Sequence, residues 1–87
     1  MEDPALDTKD SRLSAGSSAN TYMLKLDKGT RFVISAPGVY QTLNWKSGKP
    51  SCAFVDENGI IEGRSPGRTK VTTKINGITV RIDVEVR

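Results

Sequence analysis

From Ile78 to Arg87 the chain alternates without a slip, with Ile78, Val80, Ile82, Val84 and Val86 on one side and Thr79, Arg81, Asp83, Glu85 and Arg87 on the other. A period of two marks a strand with one dry face and one wet face. The same period recurs in Tyr22, Leu24 and Leu26 against Met23 and Lys25, in Phe32 and Ile34, in Leu43 and Trp45, and in Thr69, Val71, Thr73 and Ile75. Breaks fall between these runs at "DKG" (27–29), "APG" (36–38), "GKP" (48–50) and "RSPG" (64–67). Gly and Pro end strands there because they supply turn dihedrals and remove a ladder donor.

Two hairpins follow from matching faces. A two-residue turn at Asn76-Gly77 pairs Ile75 with Ile78, Thr73 with Val80, Val71 with Ile82 and Thr69 with Val84. Every such pair lies on the apolar side, and a one-residue slip would expose the whole set. In "CAFVDENGIIEG" a two-residue turn would set Val55 opposite Glu62. A three-residue loop, Glu57-Asn58-Gly59 with a left-handed Gly59, sets it opposite Ile61 and puts two aliphatics inward. No segment carries a helical period over eleven residues. The spacing of turns predicts an all-β domain of about six or seven short strands, a sandwich or small barrel. Its expected core is Leu24, Leu26, Phe32, Ile34, Leu43, Trp45, Ala53, Val55, Ile61, Val71, Ile75, Val80, Ile82 and Val84.

Residues 1–20 differ in composition. "SRLSAGSSAN" has Leu13 as its only large apolar residue, which predicts a flexible leader or linker over 1–20 and a folded domain over 21–87. Leu13 is the one residue there able to seat a short first strand on the domain edge. The stretch also sets the charge apart: residues 1–20 sum to −2 and the remainder to +5, within a net charge of +3. "MEDPALDTKD" lacks the apolar core of a signal peptide, so an exported parent implies a signal lost from, or lying outside, this sequence.

Candidate chemistry is sparse. There is no His, and Cys52 is the single cysteine. Nucleophilic catalysis by Ser or Cys needs a nearby base, and a multi-Cys zinc site needs more thiols, so no catalytic residue, metal ligand or cofactor site is expected. Asp56, Glu57 and Asn58 offer fewer oxygens than the roughly 6–8 that calcium takes, and Asp56 is expected to accept backbone N–H groups of its own turn. Trp45 shares a face with Leu43 and is expected in the core, its N–H on a backbone acceptor. Val39 and Tyr40, in "APGVYQT", are the candidate partner contact at one tip. Arg64, Arg68, Lys70 and Lys74 make a basic strip beside Arg81 and Asp83. Without interleaved aromatics that strip implies no nucleic-acid partner.

Taken together, Gly29, Trp45 with Ser47, Ala53-Phe54-Val55-Asp56 with Gly59, Gly67 through Val71-Thr72, and the alternating run to Val86 resemble the bacterial immunoglobulin-like domain of group 2. The resemblance covers about residues 22–86. "SAPGVYQT" is shorter than the matching connection in that family, and Cys52 stands where an aliphatic or polar residue is commoner. The resemblance implies an immunoglobulin-like Greek-key β-sandwich. It implies a non-catalytic module of an exported or cell-surface bacterial protein, a spacer or adhesion domain with neighbouring domains and a glycan or protein ligand as partners. Separately, no stretch reaches the ~18 apolar residues of a membrane helix, so no membrane insertion is expected. Alternatives within the same resemblance are a phage tail or virion decoration domain and an accessory domain of a carbohydrate-active enzyme.

Overall fold

Period-two alternation places side chains on faces, and the strand ladders then stack those faces into two layers. The computed structural model describes residue 6 and residues 10–16, 18–35, 43–75 and 77–87. Its eight strands are β1 (Leu13–Ala15), β2 (Thr21–Leu26), β3 (Arg31–Val33), β4 (Lys46–Ser47), β5 (Ala53–Val55), β6 (Ile60–Gly63), β7 (Gly67–Ile75) and β8 (Ile78–Val86). One sheet has the order β1-β2-β8-β7-β4 and the other β3-β6-β5. The chain changes layer between β2 and β3, β3 and β4, β4 and β5, and β6 and β7. This is an immunoglobulin-like Greek-key sandwich.

Both hairpin registers agree with face matching. Ile75 pairs Ile78, Thr73 pairs Val80, Val71 pairs Ile82 and Thr69 pairs Val84. Val55 lies opposite Ile61. The intervening loop closes by Asp56 N–H donating to the Ile60 carbonyl (3.1 Å) and Gly59 N–H donating to the Asp56 carbonyl (3.1 Å). Gly59 has φ 78°, and a Cβ there would lie 3.3 Å from the Trp45 indole nitrogen. Dihedral and neighbour both demand glycine.

The core contains Leu24, Leu26, Phe32, Ala53, Val55, Ile61, Val71, Ile75, Val80, Ile82 and Val84, all expected, together with Leu6, Leu13, Tyr22, Cys52 and Val86. Ile34, Leu43 and Trp45 pack against its margin, half-buried. The expected strand through Leu43 and Trp45 contracts to Lys46–Ser47: Leu43, Asn44 and Trp45 lie in no strand, and the residues just before them are outside the described residues. Hydrogen bonding shows why the pairing stops. The Asn44 carbonyl accepts from the Thr73 hydroxyl at 2.9 Å instead of from a ladder N–H. The motif serine has a structural task as well: Ser47 Oγ donates to the Ala53 carbonyl at 2.6 Å and ties one layer to the other.

The first described residues join this architecture. Leu13 pairs with Leu24 in an antiparallel ladder. Leu6 is buried, and its N–H donates to Tyr22 Oη at 3.0 Å. Two leucines, Leu6 from the acidic first ten residues and Leu13 from the Ser/Ala/Gly-rich stretch, therefore reach the core from the region 1–20 expected to form a leader. Arg12 fastens this edge across the open side of the sandwich. Its guanidinium holds the Asp10 carboxylate at 2.8 Å, donates to the Arg31 carbonyl on β3 at 3.1 Å and lies 5.3 Å from the centre of the Phe32 ring. The Arg12 side chain and backbone N–H together lower the Asp10 pKa from 3.8 to about 2.

β2 runs parallel to β8, with Thr21 beside Arg81 and Leu26 beside Val86. Where the chain leaves β2 for β3, the turn lies tight against Gly63: Gly29 N–H donates to the Gly63 carbonyl at 2.7 Å. A Cβ on Gly63 would come within 3.0 Å of the Asp27 carbonyl oxygen, so a side chain there would force the turn away.

Ile82 is fully buried at the centre of β8. Ile82→Ala is expected to cost about 2–5 kcal/mol in urea unfolding. Thr79→Ala, on the outer face, should stay within about 0.5 kcal/mol of the parent. Because the Asp10 pKa is depressed in the folded state, its contribution is complete above 3.8 and lost as pH falls through about 2. Unfolding curves of the parent and Asp10→Asn should therefore differ at pH 5 and converge toward pH 2.

Candidate functional site

The acidic turn resolves first. Asp56 Oδ1 accepts from Asn58 N–H (2.9 Å) and Ile60 N–H (3.0 Å), so the carboxylate is used by its own loop. Among the described residues no group of three or more His, Cys, Asp or Glu side chains is placed to hold a metal ion. Cys52 is buried, and its thiol donates to the Ser65 carbonyl at 3.3 Å. The Ser65 hydroxyl donates in turn to the Ser51 carbonyl at 2.8 Å. These groups stitch the connection between β6 and β7 to the one before β5. Trp45 is half-buried at the margin, beside Gly59, and not sealed between the sheets as its period suggested. Val39 and Tyr40, the candidate contact residues, lie outside the described residues.

The basic strip divides. Arg64 leaves it for the face of the three-stranded sheet, where its guanidinium lies 4.3 Å from the centre of the Phe54 ring and bonds Glu62 at 3.0 Å. Arg31 reaches the same carboxylate from the other side at 3.3 Å. Arg64 first, then Arg31, lowers the Glu62 pKa. On the same strand as Arg31, Val33 is 63% exposed.

Arg68, Lys70 and Lys74 stand on the outer face of the five-stranded sheet, as their spacing on β7 requires. Register brings further charges to them. Lys70 lies beside Asp83, which lies beside Met23. Arg68 lies beside Glu85, which lies beside Lys25. Lys46 lies beside Thr72, next to Arg81. Asp83 is bound by Arg81 at 2.9 Å, and Glu85 by Arg87 at 3.3 Å and Arg68 at 3.5 Å. A trough of about 380 Å³ runs over this face, lined by Met23, Lys25, Arg68, Lys70, Asp83 and Glu85 with the backbone rows between them. Of these six residues the basic strip of the sequence contains Arg68 and Lys70, with Asp83 beside it. Lys25, Lys46 and Met23 come from strands distant in sequence, and only the sheet order joins them to β7.

No protein-family model matches this chain. No curated protein matches it in sequence. Solved structures do share its fold. Domains 4 and 5 of the S-layer protein SbsC superpose with a TM-score of 0.59 at 20% identity, over 97% of this chain and 53% of that one. The S-layer protein rSbsC(31-844) gives a TM-score of 0.59 at 20% identity, over 98% of this chain and 13% of that one. The chain thus spans about half the length of the first and a small part of the second, and the likeness is one of fold.

Asp56→Ala leaves two turn N–H groups without their acceptor. It is expected to lower stability by about 1–3 kcal/mol in denaturant unfolding. Millimolar calcium should leave the melting temperature of the parent unchanged.

Proposed function

We propose that this chain is a non-catalytic immunoglobulin-like module of an exported or cell-surface bacterial protein, working as a spacer or interaction domain between neighbours. The observation that carries the reading is the interior. Aliphatic side chains from both layers fill it, and the inward hydroxyls of Ser47 and Thr73 are spent on the Ala53 and Asn44 carbonyls. A sandwich built this way offers a rigid body with two outer faces and two loop ends. The likeness of the fold to part of an S-layer protein supports a surface setting. The group 2 resemblance of the Ala53–Gly59 hairpin and the closing strands supports the same assignment.

Labelling intact source cells with a membrane-impermeant amine reagent tests it. The parent protein is expected to be modified in unbroken cells. Modification seen only after lysis would remove the surface role.

A further inference from the structure

The two faces of the sandwich carry different charge. On the three-stranded face Glu62 bonds both Arg31 and Arg64, which leaves that group a single excess positive charge. Among the described residues the five-stranded face bears Lys25, Lys46, Arg68, Lys70, Lys74, Arg81 and Arg87 against Asp83 and Glu85. Both carboxylates are already bound by arginines. Among the described residues Lys25, Lys46, Lys70 and Lys74 have no ion-pair partner. A sheet sets such groups on a lattice of about 5 Å across strands and about 7 Å along them, so their potentials add within one screening length. A flat array of unneutralised cations is a surface that lowers its free energy by taking a polyanion.

We propose that this face, centred on the trough between Lys25 and Lys70, binds an acidic polysaccharide whose sugars carry carboxylates. The inference deepens the surface-module reading and rests on it for the ligand's presence. Three features select the ligand class. The free lysines flank the trough and answer carboxylates spaced along a polymer. Asp83 and Glu85 sit among them as acceptors for sugar hydroxyls, while repelling the denser phosphate charge of a nucleic acid. Met23, 47% exposed at the trough wall, offers an apolar patch to the C–H face of a sugar ring. No aromatic side chain stands among the outward residues of β2, β7 and β8, so the stacking platform that single-stranded nucleic acids use is missing there.

Binding of the purified chain to polygalacturonate, measured by calorimetry at low salt, tests the proposal. Saturable binding is expected, weakening steeply as salt rises because screening and counterion release govern it. The double variant Lys25→Gln/Lys70→Gln should bind at least about tenfold more weakly with an unchanged melting temperature, since neither lysine is in an ion pair among the described residues and glutamine sets no like charge beside Asp83 or Glu85. Lys28→Glu, a charge reversal on the exposed turn between the layers, should bind as the parent does. Dextran should not bind, and single-stranded DNA should bind more weakly than polygalacturonate. Absence of polygalacturonate binding, parental binding by the double variant, or equal binding of dextran or DNA would each overturn the proposal. Any of these results leaves the cell-labelling result untouched, so failure here is distinct from failure of the surface role.

Discussion

β8 is paired along both edges, and that double pairing governs the molecule. Nine residues of it lie against β7 and six against β2. With both ladders formed, its inward set of Val80, Ile82, Val84 and Val86 has no second position to occupy. A shift by one residue would carry Arg81, Asp83 and Glu85 into an apolar interior, where unpaired charge costs several kcal/mol per group. The opposite layer is laid on the surface that results. Ile61 is fully buried between its β3 neighbour Phe32 and its β5 neighbour Val55, both also in the core. Ser47 and Thr73 add the polar ties that hold the second layer and the approach to β4 in place. Strand lengths follow the same order: β7 and β8 are long because each supports the other, and β4 and β1 are short because each has one partner.

What could be read from the sequence depended on how local the physics was. The β7–β8 register was legible because Asn76-Gly77 fixes the turn and both strands alternate over their full length. The β5–β6 loop was legible because only one loop length faces Val55 with Ile61. Features set by distant contacts were not. Leu6 sits in an acidic stretch and Leu13 in a run of small residues, and nothing nearby says that Tyr22 will receive the Leu6 N–H or that Leu24 will pair with Leu13. Trp45 keeps the period of a core residue, yet it ends half-buried because the strand it would belong to stops short. The direction of β2 against β8 left no mark either, since alternation is the same in parallel and antiparallel ladders. The basic face was half visible for the same reason: Arg68, Lys70 and Lys74 share a strand, but Lys25 and Lys46 reach them only through the sheet order.

Strict alternation also sorts charge. Once the inward positions of β2, β7 and β8 are spent mainly on aliphatics, the outward ones take the polar residues, and here Lys25, Arg68, Lys70, Lys74 and Arg81 outnumber Asp83 and Glu85. The three-stranded sheet shows the contrary use of the same freedom. There Arg31, Glu62, Arg64 and Phe54 form one connected group, with the carboxylate shared and the ring covered by a guanidinium. On that face each described arginine has a carboxylate, while on the other face four lysines have none among the described residues.

The parallel pairing of β2 with β8 has a mechanical meaning. Under tension applied through the two ends of the folded part, β1 would part from β2 at Leu13 first, one rung at a time, like a zip. The load would then arrive at Thr21, at the far end of β2 from Val86. From that moment every rung of the β2–β8 ladder is dragged sideways together, and none can yield before the rest. The topology places a weak, extensible link in series with a strong one, the arrangement of a fuse ahead of a clamp.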